Sequence, residues 1–289
     1  MSFRRFSILG LGLIGGSLAM ALRKRISGCD ITAYDIDRKT LETARAGGTL
    51  DRIADSPIHA CETAQCIIVC VPVGEIAATF TAIGPALKQG VCVTDVASVK
   101  STILDLAQRL LPERVFFVGG HPMAGREQSG LIAAREDLFD GAICVTTPLA
   151  TTNAKALEDV EAMWRSIGSR IVRLSPQEHD RNVAQISHLP HVLASALIGS
   201  VTDDALAIAG RGFRDLTRIA AGNSRLWRQI LQSNGVELRA AIGQLRGELD
   251  IVERLLDGNH GVELENWLAA AAARRRGLGA SGGQPTPIQ

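Results

Sequence analysis

Residues 119–130, Gly-Gly-His-Pro-Met-Ala-Gly-Arg-Glu-Gln-Ser-Gly, place His121 just after an apolar strand-like run, Val115–Val118. Imidazole titrates near neutral pH, so a histidine at the carboxyl edge of a sheet suits general-base chemistry; the plainer role is a loop histidine bonded to backbone. Asp95-Val96-Ala97-Ser98-Val99-Lys100 follows another such run and brings Ser98 to the same edge. Its hydroxyl either bonds the group that His121 attacks or caps the next helix. Ser187-His188-Leu189-Pro190-His191 sets His188 and His191 at i and i+3, with a proline that either bends a helix or starts one. Asp215 and Arg218 are again i and i+3, a spacing at which a carboxylate steers a guanidinium, and an arginine held so binds a substrate carboxylate through two hydrogen bonds. A surface salt bridge is the alternative for that pair.

A second chemistry is written at the start of the chain. Gly10-Leu11-Gly12-Leu13-Ile14-Gly15-Gly16-Ser17 lies between the apolar run Phe6–Leu9 and a helical pattern. In a strand, glycine turn, helix order, Gly10 permits the tight turn, Gly12 lets backbone approach a pyrophosphate, and Gly15 lets the helix pack closely on the sheet. The phosphates then sit on the free N–H groups of the helix start, at Leu13 and Ile14, where the dipole favours negative charge. Asp35 ends the next apolar run about twenty residues on, where a carboxylate accepts hydrogen bonds from an adenosine ribose. It argues for NAD, with NADP less favoured because a 2′-phosphate would meet a negative charge; Arg38 stands close enough to offset that charge.

The elements that must position these groups follow from periodicity. Phe6–Leu9, Ile31–Tyr34, Ile67–Val71, Val91–Thr94, Val115–Val118 and Ile143–Thr146 are strand candidates alternating with helical segments, a pattern that predicts parallel strands with crossover helices. Residues 152–168 read as a helix and Arg170–Leu174 as a last strand. After Ser175-Pro176 only helical periodicity remains, over 177–201, 204–209, 225–253 and 264–273. The reading is therefore α/β: a Rossmann-type dinucleotide-binding domain over 1–174, an all-helical domain over 175–273, and a Gly/Pro/Ser-rich tail, 274–289, read as disordered. An apolar helical half leaves surface that one copy does not bury, so a homodimer through it is expected.

The chain has 289 residues, 46% of them hydrophobic, and a formal charge of +1, which gives no reason to expect nucleic acid or an anionic membrane as partner; a small-molecule substrate fits better. The first strand starts within a few residues of Met1, and the apolar stretch 193–201 is too short to span a bilayer, so no membrane partner and a cytoplasmic location are expected. The six cysteines contain no C-x-x-C pair and the histidines do not fall at ligand spacing around them, which points to buried free thiols and no metal.

Taken together, Gly10–Ser17, Asp95–Lys100, His121–Gly130, His188–His191 and Phe213–Ala220 with Trp227 and Asn234 resemble the prephenate/arogenate dehydrogenase family of tyrosine biosynthesis, in the same order over roughly residues 6–256. The resemblance implies a Rossmann-type domain, a helical dimerisation domain and an active site between them. It further implies an NAD-dependent oxidative decarboxylation of prephenate to 4-hydroxyphenylpyruvate and CO2, with arogenate or dual specificity as the alternative. On it, His121 is the base toward the ring hydroxyl, Ser98 bonds that hydroxyl and helps orient His121, and Arg218 binds a substrate carboxylate with Asp215 holding it. His191 and His188 line the side-chain end of the substrate, and Glu127 and Trp227 shape the pocket. Asn223-Ser224 departs from the acidic residue and proline that the family carries before the tryptophan. Similarly built 3-hydroxyacid dehydrogenases place a catalytic lysine in the second domain, whereas this chain has no lysine after Lys155. A non-catalytic NAD sensor would dispense with His121, Ser98 and Arg218.

Overall fold

Short apolar runs form the strands of one sheet in a computed structural model that describes residues 2–125 and 128–280. The strands are β1 (Arg5–Leu9), β2 (Asp30–Tyr34), β3 (Arg52–Ile53), β4 (Cys66–Val69), β5 (Cys92–Asp95), β6 (Phe116–Pro122), β7 (Ile143–Thr147) and β8 (Arg170–Arg173), ordered β3-β2-β1-β4-β5-β6-β7-β8. β4 is buried at every position, as a strand covered on both faces must be. Its residues alternate between two cores: Cys66 and Ile68 join Leu18, Leu22 and Trp164, while Ile67 and Val69 join Phe80, Ile83 and Ile103. The helices supplying those partners are α1 (Leu13–Arg25), α4 (Ile76–Ile83), α5 (Ser101–Leu110) and α6 (Ala154–Ser166), with α2 (Arg38–Ala46) and α3 (Pro57–Cys61) completing the layers.

Two features differ from the expected all-parallel alternation. β3 is only two residues long, too short to register as an apolar run. β6 and β7 pair antiparallel, with His121 opposite Val145. The described part of their connection carries only a 3-10 turn, Leu131–Ala133, and no crossover helix; a parallel return needs such a crossover.

Beyond β8 the chain is helical: α7 (Pro176–Val183), α8 (Leu189–Gly199), α9 (Asp203–Ala207), α10 (Arg211–Thr217), α11 (Ser224–Ser233), α12 (Gly235–Leu256) and α13 (Gly261–Ala280). Ser175 and Glu178 form a reciprocal capping box with Pro176 in the first turn, which fixes where α7 begins. A π-helical turn, Ala184–His188, joins α7 to α8, so Pro190 lies inside a continuous helical path just after the point where its hydrogen-bond ladder is reset. Asn234 divides the expected 225–253 helix into α11 and α12. Residues 274–280, read as the start of a disordered tail, continue α13, because Arg, Ala and Leu favour helix and the two glycines cost only about 1 kcal/mol each. The remaining tail, 281–289, lies outside the described residues.

Contacts divide the chain into two compact units, Met1–Leu238 and Arg239–Gln289. Within the second, Trp267 Nε1 donates to Glu248 Oε2 at 3.0 Å, linking α13 to α12. Among the described residues no helix is long and apolar enough to cross a membrane. The six cysteines are unpaired, and five of them are buried.

Candidate active site

The strand order reverses between β1 and β4, and in open α/β sheets ligands bind outside the carboxyl ends of the strands at such a switch point. The glycine turn lies there. Gly10 N–H donates to the Tyr34 carbonyl at 2.8 Å, and Cys70 N–H donates to the Leu9 carbonyl at 2.7 Å. Gly10 has φ +94°, and a Cβ on it would sit 2.8 Å from the Cys70 carbonyl oxygen, so both its conformation and its space exclude a side chain. Gly15 is equally closed, since a Cβ would overlap the Gly10 carbonyl. Gly12 is open on its Cβ side, and as the residue before Leu13 it provides no side-chain cap for the first turn of α1. An uncapped helix start beside free space is a fit for a dinucleotide pyrophosphate. Asp35 accepts from Leu11 N–H at 2.6 Å and from Asp37 N–H at 2.8 Å, which holds its carboxylate against the same turn. Arg38 is engaged by Asp55 at 2.9 Å and Glu42 at 3.4 Å, so two carboxylates compete with any 2′-phosphate for its charge.

These two glycines make separable tests. Gly10→Ala is expected to cost about 1–3 kcal/mol through backbone strain, read as a lower Tm. Gly12→Val should leave Tm unchanged and raise the KM for NAD about tenfold or more by crowding the phosphates. A raised KM for Gly12→Val that came only with an equal loss of Tm would place its role in folding instead.

The second cluster is built on β6, α7, the π turn, α8 and α11. His121 is 8% exposed and His179 is fully buried. His121 Nδ1 lies 2.8 Å from His179 Nε2, and His179 Nδ1 lies 2.8 Å from Asp180 Oδ1. Asp180 also accepts from the N–H groups of Lys100 at 2.7 Å and Ser101 at 2.8 Å, and so closes the N-terminus of α5. That is the capping role the sequence had offered to Ser98. Ser98 is half-buried on the loop before α5, and among the described residues its hydroxyl has no hydrogen-bond partner; the group that meets His121 Nδ1 is His179, not Ser98. Behind these lies Lys100, buried with its ammonium on the Asp95 carboxylate. Asp95 in turn accepts from Ala97 and Gly120 N–H at 2.9 and 3.1 Å.

Burial sets the protonation of the group. Desolvation, then the positive charge available at His179, Lys100 and His188, pushes His121 well below the usual histidine range. Desolvation also lowers His179, against the pull of Asp180. Burial works to raise the Asp180 carboxyl, but the hydrogen bonds from His179, Ser101 and Lys100 outweigh it and hold it below the ordinary value.

The substrate-side residues fall into two groups. His191 stacks on Trp227 at 3.6 Å with planes 8° apart, and His188 meets the same indole edge-on at 6.3 Å. Burial lowers His191, against the pull of the Ile219 backbone in the 3-10 turn Arg218–Ala221. Burial pushes His188 down to about 4. Asn234 Nδ2 donates to the Asp180 carbonyl at 2.7 Å and faces His188 Nδ1 at 3.1 Å, so Nδ1 accepts and Nε2 carries the proton. That buried Nε2 has no partner among the described residues. Asn223, at the position where the family resemblance led to an acidic residue being expected, caps α11 by accepting from Leu226 N–H at 3.0 Å. Arg218 and Asp215 lie on the exposed side of α10 and the turn after it, and the ion pair observed for Asp215 is with Arg211, at 3.4 Å, where the sequence tied it to Arg218. Glu127 lies outside the described residues.

The structure thus brings His121, His188, His191 and Trp227, which the sequence singled out, together with His179, Asp180 and the buried Lys100–Asp95 pair, to which it gave no role. The capping box at Ser175 was the available signal, since it puts the adjacent His179 and Asp180 in the first turns of a helix.

The family model described as prephenate dehydrogenase, nucleotide-binding domain, matches residues 18–173, and that described as prephenate dehydrogenase, dimerization domain, matches 175–270. The chain is 33% identical to a prephenate dehydrogenase of Bacillus subtilis over 278 residues, covering 94% of this chain and 75% of that one. It is 34% identical to a cyclohexadienyl dehydrogenase of Zymomonas mobilis, covering 86% of each. The crystal structure of prephenate dehydrogenase from A. aeolicus in complex with hydroxyphenyl propionate and NAD+ superposes with a TM-score of 0.90 at 29% identity, covering 96% of this chain and 99% of that one.

Proposed function

Because the chain belongs to the prephenate dehydrogenase family, we propose that it catalyses the NAD-dependent oxidative decarboxylation of prephenate to 4-hydroxyphenylpyruvate and CO2. The observation that carries this reading is the buried, neutral His121 at the carboxyl edge of the sheet, its Nδ1 already bonded. Prephenate has a ring hydroxyl at one end of a non-aromatic ring and a carboxylate at the other. NAD, when bound, supplies the hydride acceptor; Gly10, Gly12, Gly15, Leu13, Ile14 and Asp35 would hold it. His121 Nε2 accepts the ring hydroxyl and shares its proton as the carbon beneath is oxidised, and Ser98 bonds the same hydroxyl. Departure of CO2 aromatises the ring, which drives the reaction and leaves the protein only positioning and one base to supply. Arg218 binds a substrate carboxylate, and His191, Trp227 and His188 line the side-chain end, with Asp215 at its margin.

A neutral His188 Nε2–H offers a donor, which suits the keto oxygen or carboxylate of prephenate and does not suit the ammonium of arogenate. The exposed Leu249, Leu256, Val262 and Leu268 of α12 and α13 support a homodimer through the helical half, which we take to begin at residue 175. Six unpaired cysteines fit the reducing cytoplasm.

Initial rates at 340 nm with prephenate and arogenate, each with NAD and NADP, test the reading. The expected pattern is fastest turnover with prephenate and NAD. Turnover with arogenate alone would reassign the substrate, and silence in all four with NAD still bound would reject the reading.

A further inference from the structure

We propose that His179 and Asp180 are positioning residues for the base: they fix His121 in the tautomer with a bare Nε2 and share the positive charge that builds on its ring. The inference rests on the reading of His121 as base. The hydrogen bonds give it in sequence. An ionised carboxylate only accepts, so the proton between Asp180 and His179 belongs to His179 Nδ1. A neutral His179 then has a bare Nε2, which can only accept from His121 Nδ1–H. His121 is left with its lone pair on Nε2, the atom a general base needs free.

The other charged or titratable groups around His121 cannot take this part. Lys100, from the segment before α5, is committed to Asp95 on β5, and its positive charge opposes protonation of His121. His188, from the π turn, accepts from Asn234 at Nδ1 and has its own proton on Nε2. Only His179 presents an acceptor to His121 Nδ1 among the described residues, and Asp180 fixes it in the tautomer that accepts. The proton count closes. As the hydroxyl proton moves to His121 Nε2, His121 Nδ1–H shortens toward His179 and His179 Nδ1–H toward Asp180. When the ring is aromatic its oxygen takes the proton back, so the cycle neither releases nor consumes one. A third group that orients a base in this way is a recurring arrangement in catalytic sites.

Two variants of the full-length protein separate the chemistry from packing. His179→Leu removes the acceptor and is expected to lower kcat on the order of 10–10²-fold, with the KM for substrate and the NAD dissociation constant within about twofold of wild type. His179→Gln, whose amide oxygen can accept from His121 Nδ1–H, should recover most of that loss. Equal losses in both, or an unchanged kcat in His179→Leu, would overturn the proposal. A 15N spectrum of the histidines in the wild-type protein without substrate gives an independent reading should His179→Leu not fold. The expected His121 pattern is a protonated Nδ1 and a bare Nε2; the opposite tautomer overturns the proposal. This spectrum does not depend on which substrate is turned over, so it stands apart from any failure of the prephenate assignment.

Discussion

His121→Asn is expected to reduce kcat with prephenate about 10²–10⁴-fold, the range for loss of a positioned general base, while NAD binds as in wild type. Asparagine is close in size and can keep a donor toward His179, so the fold and the buried bonds around β6 should survive. What disappears is the Nε2 lone pair. The same side chain sets the pH dependence. Because burial first, and then the proximity of His179, Lys100 and His188, hold His121 well below the ordinary histidine range, it stays neutral, and therefore competent, as pH falls through 6.5. The acid limb of kcat is expected well below that pH, and protonation there is what removes the activity. Steady-state kinetics between pH 5 and 9, with NAD affinity by fluorescence titration, checks both parts. A kcat for His121→Asn near wild type would remove His121 from the role of base, and an acid limb centred at or above 6.5 would contradict the burial argument.

The second large effect is expected at Arg218. Arg218→Ala should raise the KM for prephenate about 10–10²-fold, since a charge-assisted pair is worth about 1.5–3 kcal/mol and each 1.4 kcal/mol is tenfold. Its kcat should move much less, because the guanidinium binds a carboxylate that is the same in ground and transition states. Arg218→Lys is expected to recover only part of the affinity, a point charge replacing a planar fork. Asp215→Asn should have a small effect beside these, since the carboxylate pairs with Arg211. An Arg218→Ala enzyme with unchanged KM would show that another group holds the carboxylate.

Legibility in the sequence followed the range of the physics. The Gly10–Gly15 turn was readable because every requirement, from positive φ at Gly10 to close packing at Gly15, is met within a few residues and their immediate strands. Buried parallel strands such as β4 announced themselves as unbroken apolar runs. The antiparallel return of β7 was not readable, because strand direction depends on the path of the connection and not on the strand's own residues. His179 was missed for a related reason: it stands 58 residues from His121, and nothing local marks a histidine whose partner comes from another element. Asn234 is intermediate. Apolar periodicity runs straight through it, yet it ends α11 because its amide serves both Asp180 and His188. The i and i+3 spacing of Asp215 and Arg218 suggested a pair, while the fold offered Asp215 a partner at i−4.

The central claim, that oxidation and loss of CO2 occur together on one substrate, is tested most directly by quantifying NADH, CO2 and the aromatic product in a single reaction with prephenate and NAD. The account expects the three in equal amounts at every time point, with 4-hydroxyphenylpyruvate as the product. NADH formed without CO2 would make the protein a simple alcohol dehydrogenase and contradict it.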